Sequence, residues 1–357
     1  MTVAGSSAHF HRGCAILPPD LLRRIARRGT RDQREAALDT LAVDETLRLG
    51  RATYQLLERG AAHGVLGAPI AGKQRTVYDA QGHETLPGRI VRPEGAASVN
   101  DAEVNEAYDG LGATFDFYAE IYDRNSIDDE GLHLDASVHY ARRYDNAFWN
   151  GRQMVFGDGD GELFNRFTIS LDVIAHELTH GVTGDEAHLV YLGQAGALNE
   201  SISDVFGSLV KQYARKESAD KADWLIGEGL FTANVHGVAL RSMKAPGTAF
   251  DDPVLGRDPQ PATMANYVRT SADSGGVHTN SGIPNHAFYL AAMALGGYAW
   301  EKAGRIWYET LRDQRLKPTA TFRQFAHYTV QNAAHFFGAA ERQAVAAAWD
   351  EVGIRTA

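Results

Sequence analysis

Cysteine is all but missing from this chain. Its 357 residues hold one, Cys14, which excludes an intramolecular disulfide framework. No run of about eighteen apolar residues occurs, so no membrane-spanning helix is expected. Positive charge is in deficit: the net charge is −10 at pH 7, which argues against a nucleic-acid partner. Residues 1–11 lack a charged start followed by an apolar core. No standard secretory signal is therefore read there, and the expected location is the cytoplasm, or outside the cell by a non-classical route. What is present is 44% hydrophobic residues, ample for two packed lobes in a chain too long for one simple core. Residues 1–50 are slightly basic, with eight Arg against six acids.

The run His176-Glu177-Leu178-Thr179-His180 carries the chemistry. On a helix, positions i and i+4 share a face, so two imidazoles at that spacing can bind one zinc ion. Glu177 between them is placed to act as a general base. A catalytic zinc takes three protein ligands and keeps one position open. Glu200, in the run Asn199-Glu-Ser-Ile-Ser-Asp204, is the candidate third ligand. Asp204, one turn on, would accept the second N–H of His176. Ile169, Val173 and Ile174 predict a buried helix leading into the first run, and Gly181 and Gly184 predict its end.

The rest of the chain organises around that centre. Leu21, Leu22 and Ile25 share an apolar face on a helix ended by Gly29, and a second helix is expected over 32–41. Residues 61–72 are rich in Gly and Ala and read as a flexible linker. Strands are expected at 76–78, 89–91, 137–140 and 153–156, and a helix over 101–122. Beyond His180 the pattern is helix or loop, with helices near 284–295, 298–314, 321–337 and 339–352.

With these runs in hand, the chain resembles the thermolysin family of zinc metalloendopeptidases from about Val77 to its C-terminus. The supporting runs are Asn146-Ala-Phe-Trp-Asn150, Gly157-Asp-Gly-Asp-Gly161, Ala175–Thr183, Tyr191, Gly196–Asp204, Leu240-Arg-Ser-Met243 and Asp273-Ser-Gly-Gly-Val-His-Thr-Asn-Ser-Gly282. The N-terminal segment, with Pro18-Pro19 before Leu21-Leu22, looks like the compact propeptide of the protealysin-like branch. The resemblance implies an α+β, two-lobed fold: a mixed α/β N-terminal lobe, a central zinc helix and an all-α C-terminal lobe. It implies an inhibitory propeptide over 1–50, a linker and activation region over 51–72, and lobes over 73–183 and 184–357.

The implied activity is zinc-dependent cleavage of peptides and proteins before large hydrophobic residues, by a self-processing precursor that is its own propeptide's partner and a monomer. Zinc would sit on His176, His180 and Glu200, with Glu177 as base. By resemblance, Tyr191 and His278 would donate to the oxyanion and Asp273 would orient His278. Asn146 and Ala147 would pair with substrate backbone, and Arg241 would hold a substrate carbonyl, support the cleft wall, or both. Phe164, Phe167, Val173 and Leu240 would line the pocket for the residue after the scissile bond. A zinc-binding scaffold without activity and an exopeptidase are the competing readings. Cys14 could cap zinc in the precursor or serve as a small buried hydrophobe. Activation cleavage is expected between Asp44 and Gln74. The family's two-calcium cluster has matching acids at Asp172, Asp223 and Glu228, but Lys211 stands where an acid is usual. An ion-pair cluster of Lys211 with those three acids, replacing calcium, is the expectation; the alternative is that Lys211 points to solvent and one calcium survives.

Overall fold

The computed structural model describes residues 14–57 and 72–356, with side chains for 15–46 and 72–356. The Cys14 thiol, residues 61–71 of the expected linker and residues 58–71 of the expected cleavage region lie outside these.

The N-terminal segment forms β1 (Cys14–Ala15), α1 (Pro19–Arg28) and α2 (Arg31–Leu57). Pro19 opens α1, where a missing N–H costs nothing. Gly29 closes it, its N–H donating to Ile25 O at 2.8 Å. Helix α2 extends well past the expected end at Leu41 and through the expected 50/51 boundary. Ala36, Ala37, Thr40 and Asp44 explain part of this: they are buried along one helical face.

Next come β2 (Arg75–Asp79), β3 (Arg89–Pro93), α3 (Ala102–Tyr122), β4 (Leu134–Val138), β5 (Ala147–Trp149) and β6 (Gln153–Phe156). They build a six-stranded mixed sheet in the order β1-β5-β6-β4-β2-β3. β4 runs parallel to β2 and β6, and the other pairs are antiparallel. The strand expected at 137–140 ends instead at Val138, because His139 takes a left-handed backbone with φ +54°. Helix α3 is capped by Asp101, whose carboxylate accepts from the N–H groups of Glu103 and Val104.

A 3-10 turn at Phe167–Ile169 leads into α4 (Leu171–Glu186), which packs most extensively on α5 (Gly193–Arg215). The expected stops at Gly181 and Gly184 are corrected: α4 runs through both. Gly181 is there for space, since a Cβ would lie 2.4 Å from Ile127 Cγ2. Gly207 does the same for α5, where a Cβ would lie 2.5 Å from Asp172 O. The two helices can therefore approach closely enough to bring their polar side chains together. Four short strands follow as two pairs: β7 (Leu225–Ile226) with β8 (Arg241–Ser242), and β9 (Asp251–Asp252) with β10 (Gly256–Arg257).

The remainder is helical: α6 (Asp273–Asn280), α7 (Gly282–Leu295), α8 (Ala303–Leu311), α9 (Phe322–Phe336) and α10 (Ala339–Glu351). A mixed-sheet N-terminal region joined to a helical C-terminal region is the architecture the sequence led us to expect. Among the described residues, no helix is long and apolar enough to cross a membrane.

Candidate active site

Helices α4 and α5 bring His176, His180 and Glu200 together, with ligand atoms within 4.8 Å of one another. All three are buried. His176 Nδ1 donates to Asp204 Oδ1 at 2.8 Å, and His180 Nδ1 lies 2.7 Å from Asn199 Oδ1. Those bonds leave an Nε2 lone pair on each ring, and the two face each other at 3.1 Å. Glu200 Oε2 lies 3.5 Å from His176 Nε2 and is buried without a hydrogen bond from the described residues. The two Nε2 atoms and the unbonded Glu200 oxygen crowd one small space that favours positive charge, whether a proton shared by the rings or a metal ion held by all three. Two imidazole nitrogens and one carboxylate oxygen form a donor set that suits zinc.

Asp204 is a hub. It takes Arg241 in a two-pronged pair at 2.9 and 2.8 Å, and Asn285 Nδ2 at 2.8 Å. Burial alone would raise the Asp204 pKa, but Arg241 and His176 outweigh it and hold the carboxyl below its ordinary value. Sequence reasoning assigned no role to Asn199 or Asn285. Asn199 could have been found, because it shares a helical face with Ser203, whose Oγ is 3.1 Å from His180 Nδ1.

Glu177 is fully buried. Its Oε2 accepts from Trp149 N–H at 3.1 Å, while Oε1 has no hydrogen-bond partner among the described residues. Burial, reinforced by Glu200 and opposed by His176, pushes its carboxyl up to about 8. Tyr191 and His278 gather at Glu200, with Tyr191 OH 3.2 Å from His278 Nε2 and also bonded to Glu200, and His278 Nε2 3.5 Å from Glu200 Oε2. Asp273 receives both His278 Nδ1–H at 2.8 Å and the His278 backbone N–H at 3.0 Å. Burial opposes charging the His278 ring, but Asp273 and Glu200 carry its pKa up to about 9, so Nε2 also bears a proton. Asp273 and Ser274 sit at φ +49° and +51°, unusual for non-glycine residues and found where side chains are held for a purpose.

Ala147 opens β5 and Asn146 immediately precedes it; β5 lies between β6 and β1 of the N-terminal segment. Arg241, besides bonding Asp204, donates to Ile16 O at 3.2 Å. Phe164, Phe167, Val173 and Leu240 are all buried. Phe231, which sequence reasoning missed, packs 5.9 Å from Phe164 across an isolated β-bridge. Pro18 lines a pocket with Leu21, Arg24, Leu240, Arg241 and His278, and Pro19 is buried in α1. Of the expected site residues, only the Cys14 side chain falls outside the description.

A second charged cluster lies at the start of α4. Lys211 Nζ is 2.8 Å from Asp172 Oδ2 and 2.8 Å from Asp223 Oδ1, and donates to Leu225 O at 2.7 Å. The Asp172 contact is an ion contact without hydrogen-bond alignment. Glu228 is a correction: it pairs with Arg215 at 3.1 Å, not with Lys211, because Arg215 bridges it to Asp223 at 2.9 Å. Elsewhere His139 is ringed by Asp101, Glu103 and Asp158 at 3.0, 3.4 and 3.0 Å.

Comparison with known proteins agrees with this geometry. The family model described as "Thermolysin metallopeptidase, catalytic domain" matches residues 46–184, and its "alpha-helical domain" counterpart matches 187–354. An extracellular metalloprotease of Pectobacterium carotovorum subsp. carotovorum is 53% identical over 341 residues, covering 96% of each chain. Protease PrtS of Photorhabdus sp. (strain Az29) is 47% identical over 344 residues, 95% of this chain and 92% of that one. A solved structure, the precursor of protealysin from Serratia proteamaculans, superposes with a TM-score of 0.87 at 55% identity, covering 96% of this chain and 99% of that one. This chain belongs to the thermolysin family of metallopeptidases.

Proposed function

We propose that this member of the family is a zinc endopeptidase that cuts before large hydrophobic residues and is made as a self-processing precursor inhibited by residues 1–50. The carrying observation is the convergence of His176, His180 and Glu200, with Glu177 beside them and bonded to β5, the strand on which β1 of the N-terminal segment pairs. Zinc held by those three side chains would supply Lewis-acid polarisation of the scissile carbonyl and acidify water. Beside the charge of bound zinc the Glu177 carboxyl returns to its ionised form, so that Glu177 takes the water's proton on Oε1 and returns it to the leaving amine, while Trp149 N–H fixes the carboxylate's direction. His278 and Tyr191 hydrogen-bond the carbonyl oxygen as it becomes negative, roughly 2.7–4 kcal/mol per donor. Asp273 acts through His278, keeping its ring charged and aimed.

Asn146, Ala147 and Arg241 align substrate backbone by strand addition. Phe164, Phe167, Val173 and Leu240, with Phe231, form an apolar wall suited to Leu, Phe, Ile or Val. Residues 15–17 occupy those same backbone partners, which is what an inhibitory segment would do. Cleavage between Asp44 and Gln74 would start its release. Lys211 supports a calcium-free site at α4. The names of two relatives, extracellular metalloproteases, favour action outside the cell.

Sequencing the products of casein digested by the zinc-loaded, processed protein tests this reading. Internal cuts preceding Leu, Phe, Ile and Val, lost on chelation and regained with zinc, are expected. Stepwise loss of terminal residues would overturn the endopeptidase reading, and cuts preceding polar residues would overturn the specificity.

A further inference from the structure

The chain's own residues 14–17 lie in the groove in one definite register. Cys14 pairs with Trp149 and Ala15 with Phe148, antiparallel. Four contacts then fix the segment. Ala15 O accepts from His278 Nε2 at 3.1 Å. Ile16 N donates to Ala147 O at 3.1 Å, and Ile16 O accepts from Arg241 Nη1 at 3.2 Å. Leu17 N donates to Asn146 Oδ1 at 2.9 Å.

Each partner already has a task in the function proposed above, and the inference rests on that reading. The carbonyl facing the oxyanion donor is the one under attack, so Ala15 is on the acyl side. Ile16 is then the residue after the scissile bond, with its own carbonyl held by Arg241. Its side chain is fully buried and belongs to the main hydrophobic core, as do Phe164, Phe167, Val173 and Leu240. A β-branched hydrophobe is the kind of residue such a wall accepts.

We infer that the Ala15–Ile16 peptide bond occupies the scissile position and that the zinc-loaded precursor hydrolyses it in place. Water adds to the Ala15 carbonyl carbon, giving a proton to Glu177. The carbon–nitrogen bond to Ile16 breaks, and Glu177 returns the proton to the departing nitrogen. One water is consumed; an Ala15 carboxylate and an Ile16 amine result. This cut is distinct from activation between Asp44 and Gln74. It does not free the groove, because the part beginning at Ile16 keeps its other anchors. Arg24 Nη1 donates to Leu255 O and Arg257 O at 3.3 and 3.1 Å. Asp44 accepts from Tyr144 OH at 2.7 Å and from Asn146 Nδ2 at 3.0 Å. The clipped chain therefore stays inhibited as a bound product until the second cut.

The test uses the full chain, stripped of metal and then given zinc. Intact mass is followed while casein hydrolysis is assayed in parallel. The expected result is release of the peptide 1–15 and a chain beginning at Ile16, absent in Glu177→Ala. As an intramolecular event, the release keeps its rate on roughly ten-fold dilution. Casein hydrolysis that develops while the Ala15–Ile16 bond stays intact would overturn the inference and leave the peptidase reading standing. Release that slows in proportion to dilution would overturn it too. Failure to cut either substrate would remove the peptidase reading along with it. A synthetic peptide of residues 8–22, given to the processed enzyme, supplies a check independent of precursor folding. Cleavage between Ala15 and Ile16 supports the register, and cleavage only at another bond contradicts it.

Discussion

Replacing Lys211 by methionine removes a buried charge while keeping most of the side-chain volume. Lys211 is 3% exposed and Asp172 is 0% exposed, so water cannot replace the lost ammonium at Asp172. Breaking a buried pair from one side costs about 3–5 kcal/mol. Two features place this case at the low end. Arg215 still holds Asp223, and Asp172 Oδ1 keeps Ser170 Oγ at 2.8 Å and Gly227 N at 3.0 Å. A loss of about 3 kcal/mol, at roughly 2–4 °C per kcal/mol for a lobe of this size, lowers Tm by about 6–12 °C. The assay is a thermal melt in a Glu177→Ala background, which prevents self-digestion. Millimolar calcium leaves the parent Tm unchanged and raises it only in Lys211→Glu, where the new carboxylate joins Asp172 and Asp223 with no lysine among them and can bind a divalent cation. A negligible change in Lys211→Met would refute the buried-pair argument. A large calcium-dependent rise in the parent that persists in Lys211→Ala would refute the calcium-free site.

Three further outcomes follow from particular contacts. Asp204→Asn removes the carboxylate that orients His176, so zinc affinity falls about 10–100-fold in chelator competition; an unchanged affinity would contradict the role. Asp44→Ala deletes bonds from Tyr144 and Asn146, worth about 1.5–3 kcal/mol for a charged acceptor, so the precursor processes at least several-fold faster on a gel time course; unaltered processing would contradict that anchor. Asp158 raises the His139 ring's pKa and Asp101 adds to it against burial, to about 10 from 6.5, so stability from that charge is fully present below pH 6.5 and lost as pH rises through about 10. The Tm gap between the Glu177→Ala protein and its His139→Gln derivative is therefore widest near pH 6 and shrinks toward pH 10, and a pH-independent gap would contradict it.

The zinc centre was legible because its information is local. His176, Glu177 and His180 depend on one turn of one helix, and Glu200 and Asp204 on one turn of another. What was missed is mostly tertiary. Glycine reads as a stop from sequence, yet Gly181 lies inside α4 because Ile127 crowds it. The two residues of β1 carry no strand pattern; their pairing with β5 depends on the groove. Asp44 meets Tyr144, and Phe231 meets Phe164, across long stretches of chain that no periodicity reports. Lys211 was legible as a replaced acid, but the division of its neighbours with Arg215 required coordinates.

The most direct test is Glu177→Ala, assayed for bound zinc and for casein hydrolysis on the same sample. The variant is expected to keep one zinc per chain on His176, His180 and Glu200, to hydrolyse no casein, and to remain full-length. Activity within a few-fold of the parent, or normal processing without added protease, would contradict the account.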